Sequence, residues 1–95
     1  MSESKQVALI TGASRGLGLV VARVLADRGY ALVINARGRE ALDQAAAGLS
    51  LISPHVVSVA GDVTDAALRL QLIDAARGLG GLDLLVNNAS ELGGV

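Results

Sequence analysis

Short apolar runs alternate with longer amphipathic segments along the whole of this 95-residue chain. Four runs have the length of a strand and lack the polar alternation of a half-exposed one: residues 7–10, 31–34, 55–60 and 82–86. Continuous apolar strands are typical of a parallel sheet that is covered on both faces. The pattern therefore predicts four buried strands.

Three segments between these runs carry apolar residues at the spacing of one helix face. The predicted faces consist of Leu17, Val20, Val21, Val24 and Leu25; of Ala41, Leu42, Ala45, Ala46 and Leu49; and of Leu68, Leu72, Ile73, Ala76 and Leu79. Thr64 can cap the third helix, with Asp65 favourable beside its positive end. Helices that separate parallel strands indicate right-handed βαβ units, hence an α/β protein. No linker divides residues 1–95, so a single unit without a second domain is expected.

Composition excludes several functions. The formal net charge of −1 gives no reason to expect a nucleic-acid or membrane partner. The chain has no cysteine, and its one histidine, His55, has no acidic or cysteine neighbour at a metal-binding spacing, so no metal site is expected. Residues 1–6 are polar, and no apolar stretch reaches the ~18 residues that span a bilayer. A cytoplasmic protein is the resulting expectation.

A glycine-rich turn, Thr-Gly-Ala-Ser-Arg-Gly-Leu-Gly at residues 11–18, joins the first strand to the first helix. Gly12, Gly16 and Gly18 suit three needs of such a turn: a positive φ, a backbone open to a diphosphate, and close packing of the helix on the strand. The helix start near Gly16 also offers unpaired N–H groups to an anion. The turn is a candidate phosphate-binding loop, and a tight turn that binds no ligand is the alternative.

Small and polar residues follow the other strands as well. The carboxyl ends of parallel strands meet at one edge of the sheet, where ligands of open α/β sheets bind. The residues that should converge there are Thr11-Gly12, Asn35-Ala36-Arg37, Gly61-Asp62-Val63 and Asn87-Asn88-Ala89. Taken alone, Asp62 could equally serve the turn before the third helix, and Asn87-Asn88 would suit an ordinary turn.

The glycine turn, the Asp62-Val63 pair and the Asn87-Asn88-Ala89 triplet occur in an order that resembles the N-terminal half of the short-chain dehydrogenase/reductase family. The resemblance covers residues 6–90. It implies a Rossmann-type parallel sheet with local strand order 3-2-1-4 and flanking helices, incomplete relative to the full doubly wound fold. It also implies a nicotinamide dinucleotide and carbonyl/alcohol redox chemistry. The small-molecule substrate and a homo-oligomer are expected only of the full-length protein.

The resemblance assigns roles to single positions. The three glycines would form the dinucleotide-binding turn, Ser14 and Arg15 would face the adenosine phosphate region, and Leu17 would contact the diphosphate through its backbone. Asp62 would accept a hydrogen bond from the adenine amino group, and the Val63 N–H would meet the ring.

The triplet after the fourth strand completes the set of cofactor-binding residues. By the resemblance, Asn88 and Ala89 line the adenosine ribose, whereas Asn87 steadies the sheet. The family usually has glycine next, where this chain has Ser90, and the added Cβ affects the local geometry.

The end of the second strand bears on the choice of nicotinamide cofactor. An acidic residue that would bind the ribose hydroxyls of NAD is missing there, since the sequence reads Asn35-Ala36-Arg37. The Arg37 guanidinium suits a 2′-phosphate, and Arg15 could approach the same phosphate from the other side. These charges favour NADP(H) over NAD; the alternative is that Arg37 and Arg39 are solvated residues ahead of a helix.

The family's catalytic tyrosine and lysine have no match in these residues. Tyr30 is the one tyrosine, Ile34 stands four residues after it, and Lys5 is the one lysine. No catalytic residue is therefore assigned, and the 95 residues alone are expected to be inactive. We expect the front half of a longer NADP-dependent oxidoreductase; the alternative is a non-catalytic nucleotide-binding or regulatory module that ends naturally near Val95.

Overall fold

The computed structural model describes residues 6–88 and contains four strands and three helices in strict alternation. The elements are β1 (Val7–Thr11), α1 (Gly16–Asp27), β2 (Ala31–Ala36), α2 (Arg39–Ser50), β3 (Val56–Ala60), α3 (Ala66–Gly78) and β4 (Leu84–Asn87). No helix within the described range is long and apolar enough to cross a bilayer.

The four strands form one parallel sheet in the order β3-β2-β1-β4, which confirms the predicted fold class and strand order. Ile10 lies opposite Ile34, Thr11 opposite Asn87, and Ala36 opposite Ala60. The carboxyl ends of all four strands therefore lie along the same edge of the sheet.

Both faces of the two central strands are covered. Alternate residues of each strand point to opposite sides, and apolar side chains are buried on both. One cluster joins Ala8, Ile10, Leu32 and Ile34 to α1 and α2; the other joins Val7, Leu9, Ala31 and Val33 to α3. This two-sided burial is the reason that β1 and β2 read as continuous apolar runs.

The face that the sequence predicts for α1 is wrong at three of its five residues, whereas Leu25 packs, partly buried, against the core. Leu17, Val20 and Val24 are exposed, and the buried stripe of α1 is Gly18, Ala22 and Ala26. The helix lies close to the sheet, so small residues form its fully buried stripe, with Leu19 and Leu25 packing partly buried beside them. Close packing overrides the larger hydrophobicity of Val20 and Val24.

Two smaller expectations also change. Asp65, not Thr64, caps α3: its Oδ1 accepts a hydrogen bond of 2.9 Å from the N–H of Ala67. The last predicted strand is shorter than expected, beginning at Leu84, and, like β3, it is not fully buried: Leu84 and Val86 pack partly buried against the core. Within residues 6–88, β4 pairs with β1 alone, and Leu85 is 56% exposed.

Leu9 and Leu85 provide a matched test of this packing, because they lie side by side in the β1–β4 register but differ in burial. Leu9 is 4% exposed. Leu9→Ala should lower the free energy of unfolding by about 2–5 kcal/mol, the usual cost of emptying a core position, and Leu85→Ala by less than about 1 kcal/mol. Urea unfolding of both variants measures the difference; equal losses would contradict the exposure of β4.

Candidate functional site

The turn between β1 and α1 has the backbone conformation that its glycines permit. Gly12 has a φ of 63° and Gly16 a φ of 61°, in the left-handed region that costs other residues about 1–2 kcal/mol. Between them, the N–H of Ala13 donates a hydrogen bond of 2.9 Å to the carbonyl of Asn35, so the turn is fastened to the end of β2.

Gly18 is required for a different reason, because it lies in close contact with the turn. A Cβ at this position would collide with the carbonyl oxygen of Gly12 and come within 2.7 Å of Asn88 Nδ2. The helix is thus pressed against the carboxyl end of β1, as the sequence predicts.

The first turn of α1 has no side-chain cap. The residue at the cap position is Arg15, in an extended conformation, and its side chain accepts no hydrogen bond from the helix. The helix begins at Gly16, followed by Leu17 and Gly18, and the first N–H groups of a helix carry partial positive charge. These features fit an anion such as a diphosphate, which would take the place of a cap.

Asn35 fixes the opposite wall of the site. Its side chain is 1% exposed, and Nδ2 donates to the carbonyls of Val59 at 2.9 Å and Gly61 at 3.1 Å. The N–H of Gly61 also donates to the carbonyl of Ala36 at 3.0 Å. The segments that follow β2 and β3 are therefore held together at their start.

Thr11 links the glycine turn to the end of β4. Its hydroxyl donates to Asn87 Oδ1 at 3.1 Å and accepts from the N–H of Asn88 at 2.9 Å. Asn88 Nδ2 donates to the carbonyl of Gly12 at 3.1 Å. Asn87 thus ties β4 to β1, in line with the structural role expected for it.

The segments that follow the four strands line an open cavity of about 480 Å³ at the carboxyl edge of the sheet. Its lining residues are Gly12, Ser14, Arg15, Asn35, Ala36, Arg37, Gly38, Gly61, Val63 and Asn88. Six of them are predicted cofactor-binding residues: Gly12, Ser14, Arg15, Arg37, Val63 and Asn88.

The other predicted residues stand around this cavity without lining it. Gly16, Leu17 and Gly18 form the start of α1, and Asp62 lies between two lining residues, Gly61 and Val63. Ala89 lies outside the described residues.

The lining also contains Asn35, Ala36 and Gly61, which the sequence places at this edge of the sheet without a binding role, and Gly38, which the sequence does not point to. A signal for Asn35 was present, since it is a polar residue that directly follows an apolar run of strand length. Asn35 and Ala36 belong to β2 itself rather than to the turn after it.

Asp62 and Arg37 form the charged rim of the cavity. Arg37 Nη2 lies 3.7 Å from Asp62 Oδ2, and both side chains are substantially exposed. The pKa of Asp62 is lowered chiefly by a hydrogen bond from the Thr64 N–H, then by one from the Thr64 hydroxyl, with a further contribution from Arg37. Asp62 is therefore ionised at neutral pH. Residues 6–88 contain no group of three or more His, Cys, Asp or Glu side chains that could hold a metal ion.

The fold and this site define a dinucleotide-binding unit of Rossmann type, and comparison with known proteins identifies its family. The model of the short chain dehydrogenase family matches residues 6–94, so the chain belongs to that family, as the sequence motifs predict. Gluconate 5-dehydrogenase of Gluconobacter oxydans is 41% identical over 83 residues, which cover 86% of this chain and 32% of that protein.

Solved structures agree with this assignment. L-sorbose reductase from Gluconobacter frateurii, in complex with NADPH and L-sorbose, has a TM-score of 0.84 and 38% identity over 95% of this chain and 35% of its own. A complex of RhlG from Pseudomonas aeruginosa with NADP has a TM-score of 0.78 and 36% identity, covering 94% of this chain and 36% of that one. The chain spans about a third of the length of these relatives.

The contact at Gly18 is open to a direct test. Gly18→Ala should destabilise the protein, because the new Cβ would collide with backbone atoms of Gly12, which can move only if the turn is distorted. Gly48→Ala is the matched control: it lies in α2, nothing lies within 4 Å of its added Cβ, and the exchange should stabilise by about 0.5–1 kcal/mol. Thermal unfolding followed by circular dichroism measures both, and a Gly18→Ala variant as stable as Gly48→Ala would contradict the contact.

The amide of Asn35 can be tested by reversing its polarity. Asn35→Asp should cost at least about 1–3 kcal/mol at neutral pH, because a buried carboxylate would face two carbonyl oxygens with no hydrogen to donate. Part of the loss should be regained as the pH falls, since a protonated carboxyl can donate to one of them. Urea unfolding at several pH values gives the answer; an unchanged stability at neutral pH would refute the role of the amide.

Proposed function

We propose that the cavity binds the adenosine and diphosphate portion of NADP(H), and that the chain serves an oxidoreductase acting on carbonyl or alcohol substrates. The observation that carries the proposal is the meeting of two arginines, Arg15 and Arg37, with the glycine turn in one cavity at the carboxyl edge of the sheet. The proposal is supported by the membership of this chain in the short chain dehydrogenase family and by the NADPH complex of the similar L-sorbose reductase.

The residues present fit this cofactor. The uncapped start of α1, with the backbone N–H groups of Gly16 and Leu17, would receive the diphosphate. Gly18 keeps this helix end close to β1, and Gly12 supplies the turn that joins them. Ser14 lies beside Arg15 in the lining, where its hydroxyl can donate to a phosphate oxygen.

The 2′-phosphate would lie between the arginines. A guanidinium binds phosphate through a planar pair of N–H donors and keeps its charge at any physiological pH. Arg15 and Arg37 come from the turns after neighbouring strands, so they approach the cavity from two sides. Among residues 6–88, no Asp or Glu is in the lining itself, and Asp62 lies at the rim, where it pairs with Arg37. NAD has no phosphate on the ribose for the two arginines to bind.

The adenosine would lie across the ends of the strands. Val63 would meet the adenine ring through its N–H, and Asp62 would accept from the exocyclic amino group. Asn88, already fixed to Gly12 through its amide, would line the ribose together with Ala89.

The bound cofactor would donate hydride to a carbonyl or accept it from an alcohol, and the residues described here would bind and orient the cofactor. We propose that the 95 residues bind NADP(H) without turnover, because they contain no Tyr-x-x-x-Lys sequence to position a proton donor at the carbonyl oxygen. A carbonyl or alcohol substrate, a cytoplasmic location and a homo-oligomeric state are proposals for a full-length protein of this family.

The proposal predicts a strong preference for the phosphorylated cofactor. NADPH should bind at least about tenfold more tightly than NADH, because each charge-assisted hydrogen bond to the 2′-phosphate contributes about 1.5–3 kcal/mol. Arg37→Asp should narrow or reverse the preference. Fluorescence titration of the 95-residue protein with each nucleotide gives both dissociation constants.

Arg39→Asp is the matched control for that titration. It makes the same change of charge two residues away, at a side chain that pairs with Asp43 across 3.9 Å and does not line the cavity. The Arg39→Asp variant should still bind NADPH more tightly than NADH. Equal affinity of the unmodified protein for NADPH and NADH would overturn the assignment of the cofactor.

A further inference from the structure

The contact between Asp62 and Arg37 points to a role for the carboxylate that is separate from any contact with adenine. We propose that Asp62 is a positioning residue that determines cofactor specificity by holding the Arg37 guanidinium at the mouth of the cavity, ready for a 2′-phosphate. The inference rests on the proposed binding of NADP(H), and it concerns how the preference over NAD(H) arises.

The carboxylate of Asp62 is oriented by the chain that follows it. Oδ1 accepts two hydrogen bonds from Thr64, one from the N–H at 2.9 Å and one from the hydroxyl at 2.8 Å. Oδ2, the other oxygen, lies 3.7 Å from Arg37 Nη2. One oxygen therefore anchors the side chain while the second faces the arginine.

The segment that carries Asp62 is fastened on both sides. Asn35 Nδ2 holds the carbonyl of Gly61, and Arg69 Nη1 donates to the carbonyl of Val63 at 2.8 Å. The carbonyl of Asp62 itself accepts from the N–H of Asp65 at 2.9 Å. Asp62 thus offers a negative charge at a fixed place.

Arg37 is the longer and more exposed member of the pair. Its side chain is long and 70% exposed, and a long exposed side chain loses considerable freedom when a ligand orders it. Because Thr64 holds the carboxylate in place, the ion pair adds to the restraint on the guanidinium. Part of the ordering cost is then met before the ligand arrives.

The pair leaves room for a phosphate. A guanidinium carries five N–H donors, so it can face a carboxylate and a phosphate together. The separation of 3.7 Å is longer than the usual 2.7–2.9 Å of a charge-assisted hydrogen bond, so the guanidinium can shift toward a ligand at small cost. NADH has no 2′-phosphate, and its affinity does not depend on this restraint.

The sign of the effect separates positioning from simple charge. Removing a negative charge near a phosphate site should, by Coulomb's law alone, strengthen the binding of NADPH. Positioning predicts the opposite, because the arginine would lose its restraint. A direct bond from Asp62 to adenine would affect NADPH and NADH alike and leave their ratio unchanged.

The experiment measures the ratio of the dissociation constants of NADH and NADPH for the 95-residue protein. Asp62→Asn should lower this ratio about two- to fivefold, the range expected of an exposed ion pair that meets part of the cost of ordering one long side chain. In an Arg37→Ala background, the same exchange should leave the ratio unchanged. Thr64→Val keeps the charge of Asp62 but removes one anchoring hydrogen bond, and it should lower the ratio in the same direction.

Asp43→Asn is the matched control, because it removes an equal charge from an exposed pair with Arg39 and should leave the ratio as it is. Circular dichroism shows whether each variant is folded. If Asp62→Asn is folded and its ratio is unchanged or raised, the positioning role is overturned. If Asp62→Asn is unfolded, the same result in Thr64→Val overturns it. A protein that binds both nucleotides equally before any substitution overturns the proposed cofactor instead.

Discussion

The close contact between Gly18 and the carbonyl of Gly12 is the constraint on which the rest of the site depends. It allows α1 to begin directly beside the carboxyl end of β1, and the small residues Ala22 and Ala26 continue the close approach along the helix. Asn88 donates to the same carbonyl, so one oxygen of Gly12 helps to locate both the helix and the end of β4. A helix that lay further out would leave the cavity without its positive end.

A second set of polar contacts holds the other half of the cavity. Asn35 is a buried residue near the end of a parallel strand, where the regular hydrogen bonds between strands come to an end. Its amide nitrogen donates to two neighbouring carbonyls, those of Val59 and Gly61. Among the described residues, no buried side-chain nitrogen or oxygen lacks a hydrogen-bond partner. The walls are therefore fixed by hydrogen bonds that do not depend on a bound ligand.

The sequence alone predicts the alternation of elements and the glycine turn, because both follow from local spacing. The strand order required the resemblance to a family. The predicted face of α1 failed because hydrophobicity favours Val20 and Val24, whereas the distance between helix and sheet favours alanine, and that distance is a tertiary property. The sequence places Arg37 and Asp62 at the same edge of the sheet, but their ion pair depends on the β2–β3 register, in which Ala36 lies opposite Ala60.

The bonds around Thr11 have a consequence for how the molecule reaches its folded state. They join residues 76 and 77 positions apart, as does the bond from the Val7 N–H to Asp83 Oδ2, so β4 must dock on β1 before the cavity has its final shape. Contacts of such long range require a large loop to close and form slowly compared with local ones. The glycine turn and α1 can form early from neighbouring residues, but the cavity is completed only when the far end of the described chain arrives. Any ligand that bridges Gly12 and Asn88 would then stabilise the sheet as a whole, since separating those residues means undocking β4.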